Sequence, residues 1–297
     1  MIQVLALGLI SAGIYAVFAV GIVLVYRGTK VLTFAGGEVG TAGLYLAAFL
    51  VTDHGAPWFV GALVAIVAAA LLGAAFEFFL VRRARDADPV VTSILTVGLT
   101  ALIVAVEINL YGQSPKELKP PFTHGVDVDG VIVSPTQIAA IVLAALLGFG
   151  LQAFLRRTDF GLAILAAADD PTATRLVGVR VSRIRLVLWA GSFGLAAIAA
   201  LLVEPTVGVI SPGYASTLYL GGLVAAVVGG LDSLPGAVAG ATVLGLAQAV
   251  ADRYLSDYGL NGLGYVVTLS VLLVALLGRA YAPEIRRRFV LAAEVPA

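Results

Sequence analysis

The chain has 297 residues, of which 60% are hydrophobic and 12% charged, with a mean hydropathy of +1.03 and a formal net charge of zero. Soluble domains are roughly half apolar and about one quarter charged, so water is excluded as the main solvent, and the lack of a basic excess leaves no footprint for nucleic acid. The absence of cysteine removes disulfides, thiolate metal sites and a cysteine nucleophile.

A hydrocarbon core about 30 Å thick is crossed by about 20 helical residues. Apolar stretches fall at residues 3–26, 34–51, 57–80, 90–111, 134–155, 184–203, 216–231, 236–251 and 261–279. Met1 to Val25 lacks the basic region and small-residue cleavage site of a secretory signal and reads as a retained first span. The stretches at 34–51, 216–231 and 236–251 are short and rich in glycine, which predicts half-helices or re-entrant pieces packed inside protein. The expected fold is an all-α polytopic membrane protein, one transmembrane domain over residues 1–297 with about 8–10 transmembrane or re-entrant helices.

Orientation is read from Lys and Arg in the connections. Arg27 and Lys30 follow the first stretch, and Arg82, Arg83 and Arg85 follow the third. Arg156, Arg157, Arg175, Arg180, Arg183 and Arg185 lie between the fifth and sixth, and Arg279 and Arg286 to Arg288 close the chain. If all nine stretches cross, these 15 of the 18 basic residues share one side, which is then the cytoplasm. The N-terminus is outside and the C-terminus inside. Residues 112–133, with Pro115, Pro120 and Pro121 and alternating valines, read as an extracytoplasmic loop with a small hairpin around Asp129-Gly130. Residues 156–183 read as a cytoplasmic loop.

Within the cytoplasmic loop, Asp170-Pro171 followed by Gly178 predicts a short capped helix: Asp170 accepts from free N–H groups, Pro171 fits the first turn, and Gly178 permits a left-handed exit. A second helix over Gly161 to Ala168 precedes it. Such a rigid helix lying across the spans is either an ordinary surface helix or an element that carries motion from a docked partner. Small residues recur four apart at Gly8, Ala12 and Ala16, at Gly222, Ala226 and Gly230, at Gly236 and Gly240, and at Ala241 and Gly245. This spacing lets helices approach closely in lipid. The glycine-rich regions 28–43 and 221–245 hint at an internal duplication.

Ionisable residues in apolar stretches cost roughly 2.5–3.5 kcal/mol each on insertion scales, so each needs a reason. Glu77 is expected to snorkel towards Arg82 or Arg83, and Glu107 to cap or solvate near the outer interface. Glu38, after Ala35-Gly36-Gly37, either orders a broken helix or faces a pathway. Enzyme chemistry finds little footing. The two histidines, His54 and His124, lie in outside loops, Asp232 has no partner aspartate in a neighbouring stretch, and no phosphate-binding GxxxxGK[ST] loop occurs.

Gly8-Leu9-Ile10-Ser11-Ala12-Gly13-Ile14-Tyr15-Ala16, the turn Phe34-Ala35-Gly36-Gly37-Glu38, the loop Arg156-Arg157-Thr158-Asp159-Phe160-Gly161, Ala168-Asp169-Asp170-Pro171, Arg175 to Val179 and the run Val228 to Val238 together resemble the branched-chain amino acid ABC transporter permeases of the LivH type. The resemblance covers nearly the whole chain in order. This sequence departs from the family pattern around the early turn, where Asn and Gln are usual and this chain has Thr33 and Gly36 or Gly37, and at Leu165-Ala166, where Arg-Ala is usual.

The resemblance implies an ABC importer permease of type II-like architecture in the cytoplasmic (inner) membrane of a prokaryote. It implies a related second permease subunit, two cytoplasmic ATP-binding subunits and an extracytoplasmic solute-binding protein as partners, beside membrane lipid. No cofactor is expected on this chain, ATP being hydrolysed by the partners. The coupling residues implied are Asp159, Phe160, Gly161, Asp169, Asp170, Pro171, Arg175 and Gly178. Pathway residues expected from the broken-helix regions are Tyr15, Thr33, Gly36, Gly37, Glu38, Thr96 and Tyr219. Relatives import leucine, isoleucine and valine, other amino acids, or urea and short amides. An ion-coupled secondary transporter, which also uses broken helices, is the rival reading.

Overall fold

A computed structural model describes residues 2–84, 88–112, 115–118, 125–128, 131–207, 209–255, 264 and 266–277. In chain order the helices are α1 (Ile2–Thr29), α2 (Gly36–Ala48), α3 (Trp58–Phe76), α4 (Pro89–Tyr111), α5 (Pro135–Arg157), α6 (Asp159–Asp169), α7 (Pro171–Leu176), α8 (Val181–Val207), α9 (Tyr214–Gly229), α10 (Leu234–Leu255) and α11 (Val266–Leu277). Between α4 and α5 lies a hairpin of β1 (Val126–Val128) and β2 (Val131–Val133), paired antiparallel with Val128 opposite Val131. The expected hairpin is therefore present in the backbone, although Asp129 and Gly130 at its tip, like His124, lie outside the described residues.

Each of the nine apolar stretches contains one helix. Among the described residues, α1, α3, α4, α5, α8 and α10 are long and apolar enough to cross a membrane, with α3 counted through Val81. The 236–251 stretch, expected to be short, makes a full-length helix because α10 extends through Asp252 and Arg253 to Leu255. α2 and α9 remain short, as expected.

Helix ends follow from local chemistry. Asp88 caps α4 by accepting from the Val90 N–H at 2.8 Å, with Pro89 in the first turn. Ser134 and Gln137 form a reciprocal capping box at α5. At the end of α3 the Arg82 N–H donates to the Glu77 carbonyl at 2.8 Å, a five-residue step that widens the last turn over Glu77–Val81.

The core is built around α1, which packs on α5, α8, α9 and α10. Close approach depends on the small residues. A Cβ on Gly245 would lie 2.7 Å from the Ala12 nitrogen, and one on Gly8 would meet Leu246 at 2.8 Å. At the α9–α10 turn, Gly229 faces Gly236 so closely that neither tolerates a side chain. A second buried cluster joins α3 to α8 through Phe76, Trp189 and Phe193, with ring centroids 5.2 Å apart for Phe76–Trp189 and 5.7 Å for Trp189–Phe193. The outward faces of α3, α4, α5 and α11 carry exposed Leu, Ile, Val and Phe. Such a surface is stable only against lipid or another apolar partner.

Candidate functional site

The chain leaves α1 at Lys30, whose φ of +58° turns the backbone out of the helix. It then runs without helical bonds through Val31–Ala35 to the start of α2. Non-helical backbone surrounded by apolar helices has no water to bond, so its polar groups must find protein partners. The Phe34 N–H donates to Thr96 Oγ1 at 3.0 Å, and Thr100 Oγ1 donates to the Phe34 carbonyl at 3.3 Å, lacing the break to α4. From the other side the Tyr219 hydroxyl donates to the Thr33 carbonyl at 2.8 Å, lacing it to α9.

The next residues dock α2 onto the start of α9. A Cβ at Gly36 would enter the Tyr219 ring, and one at Gly37 would lie 2.6 Å from the Ser216 Cα. Glu38, 1% exposed, accepts from the Ser216 hydroxyl and from the Gly213 N–H at 3.3 Å. Thr41 Oγ1 accepts from the Ala215 N–H at 3.1 Å. Glu38 and Thr41 thus supply the acceptors that the first turn of α9 lacks from its own sequence, since Gly213 at its N-cap has no side chain to give. A carboxylate there also meets the positive end of the α9 dipole. Of the two roles open to Glu38, the geometry favours ordering the broken helix.

Six of the seven expected pathway residues, Thr33, Gly36, Gly37, Glu38, Thr96 and Tyr219, meet at this joint. Tyr15 stands apart on α1, its ring against Gly221, while Phe18 one turn on meets Tyr219 edge-on at 5.5 Å. Thr41, Thr100 and Ser216 complete the joint and were not singled out from the sequence. The spacing Thr96-xxx-Thr100 on one helix face is the signal that was available. Glu107 corrects an expectation: it neither caps nor meets water, but is 2% exposed with its carboxyl facing that of Glu38, and no other hydrogen-bond partner among the described residues. The Tyr45 and Tyr111 rings stack beside it at 4.6 Å. The buried Thr33 hydroxyl lies beside the Tyr219 hydroxyl. The joint therefore combines an apolar wall with a few buried polar groups.

At the far end of α5, Thr158 caps two helices at once: its hydroxyl donates to the Phe154 carbonyl at 2.8 Å and accepts from the Gly161 N–H at 3.0 Å. α6 follows, burying Ile164 and Ala167 against α5, α1 and α8. Asp170 caps α7 by accepting from Thr172 and Ala173 at 2.8 and 2.9 Å, and Gly178 leaves it with φ +87°. The short capped helix expected here is present, with α6 running slightly longer than 161–168. Asp159, Phe160, Asp169, Asp170, Arg175 and Gly178 are exposed, Pro171 is half-buried, and Gly161 is buried against the α5 backbone. Leu176 and Val177, 84% and 79% exposed, form an apolar tip that the sequence reading passed over.

One other expectation changes. Glu77 does not snorkel: it is 1% exposed and interacts with Arg185 as well as with the expected Arg82. Asp232 is an exposed loop residue and pairs with Lys30 at 2.9 Å, tying the end of α1 to the α9–α10 turn.

Residues 4–276 match the family model described as branched-chain amino acid transport system / permease component. The chain is 30% identical over 301 residues to the high-affinity branched-chain amino acid transport system permease protein BraD of Pseudomonas aeruginosa, covering 96% of this chain and 97% of that one. It is 27% identical over 294 residues to the high-affinity branched-chain amino acid transport system permease protein LivH of Escherichia coli, covering 94% and 95%. It is also 25% identical over 286 residues to the probable branched-chain amino acid transport permease protein LivH of Methanocaldococcus jannaschii, covering 92% and 89%.

Proposed function

The chain belongs to the family of branched-chain amino acid transport system permease components, and on that premise we propose that it passes branched-chain or other small apolar amino acids through the joint between α1, α2, α4 and α9 by alternating access. It is a multi-pass inner-membrane protein and the permease subunit of an ABC importer system; it is not an enzyme, ATP hydrolysis falling to a separate subunit.

The observation that carries the pathway assignment is the laced break at Val31–Ala35. A chain that needed only to cross the membrane would continue α1, because every interrupted backbone group must be re-satisfied at the cost of specific partners. Here three side chains from two other helices are committed to that purpose. Transporters keep such interruptions where a solute meets backbone and small residues near the membrane middle. The apolar wall suits an aliphatic side chain, and the buried Thr33 hydroxyl and the facing Glu38 and Glu107 carboxyls suit a polar head.

Membership of the family supports the remaining parts of this reading. A related second permease subunit, two cytoplasmic ATP-binding subunits and an extracytoplasmic solute-binding protein complete the importer. The arginine-rich face, with α6 and α7, is cytoplasmic. Closure of the ATP-binding subunits pushes on residues 159–178, and the exposed Leu176–Val177 tip is the contact surface. In this reading the chain itself binds no cofactor, and ATP is hydrolysed by the partner subunits.

The test is reconstitution of the complete complex into liposomes with its binding protein. ATP-dependent uptake of radiolabelled leucine, lost when Thr33 is changed to Val or Glu107 to Leu but with assembly retained, is the expected result. Uptake driven by an ion gradient without any ATP-binding subunit would overturn the importer reading. ATP-dependent uptake of urea or a short amide with no uptake of leucine would overturn the substrate class alone.

A further inference from the structure

The end of α3 and the junction between α7 and α8 enclose a cavity of about 250 Å³ on the arginine-rich face. Four arginines line it: Arg82 from the widened turn after α3, Arg175 from α7, Arg180 from the connection, and Arg185 from the first turns of α8. Among the described residues the lining holds one carboxylate, Glu77, which interacts with Arg185 and Arg82. Among the described residues, Arg175 and Arg180 form no ion pair.

Guanidinium groups gathered from four segments repel one another, and one carboxylate shared between two of them leaves an excess of positive charge among the described lining residues. Arg82, Arg175 and Arg180 are exposed, so water screens that repulsion and the arginines are open to an anion from outside. Two further features raise the local field. α8, 27 residues long, starts at Val181 in the cavity wall with no acidic residue in its first turn, so its dipole is positive towards the cavity. The widened turn over Glu77–Val81 brings Arg82 to the rim, with its guanidinium 5.5 Å from the Phe78 ring.

We propose that this cavity is a binding site for a phosphate-bearing anion. Arginine is the side chain suited to it, because its planar fork meets two phosphate oxygens at once. Two sources share that chemistry, an anionic phospholipid headgroup and a soluble phosphate. Phe78, Phe79 and Leu80, exposed on the same turn as Arg82, give an acyl chain an apolar surface to lie against directly beside the headgroup position. Basic pockets between spanning helices at a membrane face are where acidic lipid headgroups settle. Arg175 belongs to α7, so occupancy of the cavity fixes α7 against the end of α3. The importer reading is not needed for the binding itself, only for the consequence that the anion stiffens the coupling segment.

The experiment uses the full transporter complex purified from its native membrane in a neutral detergent. Dioctanoyl phosphatidylglycerol, dioctanoyl phosphatidylcholine and inorganic phosphate are titrated separately, reading bound mass by native mass spectrometry and the unfolding temperature. The parent is compared with an Arg82→Gln/Arg180→Gln double variant and with an Arg82→Lys/Arg180→Lys control that keeps the charge. Saturable phosphatidylglycerol binding to the parent, weakened about thirtyfold in the glutamine variant from the removal of two basic groups and largely kept in the lysine control, supports the proposal with a lipid source. The same pattern with inorganic phosphate supports it with a soluble source.

No saturable binding of either anion to the parent overturns it, as does binding that the glutamine variant retains in full. Loss of the ATP-binding subunits from the glutamine variant without any anion binding by the parent also overturns it, assigning the arginines to a protein contact. Subunit content is read from the same spectra. A parent that carries no ATP-binding subunit yet binds the anion refutes the importer reading and leaves this site standing.

Discussion

The Tyr219 hydroxyl and the Thr33 carbonyl, 186 residues apart in sequence, meet at 2.8 Å and hold α9 to the non-helical link between α1 and α2. Both are buried, so removing the donor leaves a carbonyl that neither water nor another helix can reach. Tyr219→Phe is expected to destabilise the protein by about 1–3 kcal/mol, the cost of an unsatisfied buried group. Thermal unfolding in detergent reads this directly. Leucine uptake by Tyr219→Phe should fall at equal protein abundance, since the same link lines the proposed pathway.

Glu38 and Ser216 provide a paired test of the joint. If Glu38 serves chiefly as the cap of α9, Glu38→Ala, Ser216→Ala and the double substitution form a cycle with a coupling energy of about 1–3 kcal/mol, as expected for residues in contact. A coupling near zero with uptake still lost from Glu38→Ala would instead assign Glu38 to the solute. Chemical denaturation of the three variants distinguishes these outcomes.

Much of this joint was readable from the sequence, and the unread part has a definite physical character. The breaks in apolar periodicity, the glycines at positions 36 and 37, and the short second stretch mark a broken helix, and all nine stretches yield a helix. What a one-dimensional pattern does not carry is pairing at long separation. Thr96 is marked in the sequence only as a polar residue in an apolar stretch, and Thr100 not at all, until Phe34 is placed beside them, 62 and 66 residues away. Glu77 was read as snorkelling because Arg82 and Arg83 are near in sequence, whereas Arg185 reaches it only when α8 packs on α3. The cap of α7 is legible in the sequence because Asp170 and the N–H groups it accepts from lie within three residues of each other.

Glycine substitutions separate close packing from mere composition. Gly229→Ala and Gly245→Ala force a methyl group into neighbouring backbone and are expected to abolish stable folding or cost several kcal/mol, since overpacking a rigid backbone typically costs about 1–3 kcal/mol and sometimes more. Gly98→Ala and Gly150→Ala, where among the described residues nothing beyond the local helix backbone lies within 4 Å of the added methyl, are the controls. They should leave stability unchanged or raise it by about 1 kcal/mol through helix propensity. Size-exclusion profiles and unfolding temperatures of the four variants check the contrast.

The coupling segment separates folding from docking. Asp170 holds α7 by two hydrogen bonds to its first turn, so Asp170→Ala is expected to loosen that helix by about 1 kcal/mol, the usual worth of an N-cap. Leu176 makes no such internal bond and projects into solvent, so Leu176→Asp should leave the unfolding temperature within error of the parent. Its effect is expected on assembly, because an acidic group at the centre of an apolar contact leaves a desolvated charge on docking. Pull-down of ATP-binding subunits should therefore fall sharply for Leu176→Asp and modestly for Asp170→Ala, while Leu176→Met retains the parent level. Equal retention by all three variants would place the docking surface elsewhere on the arginine-rich face. Loss in Asp170→Ala alone would mean that the capped α7 backbone, rather than its apolar tip, transmits the stroke.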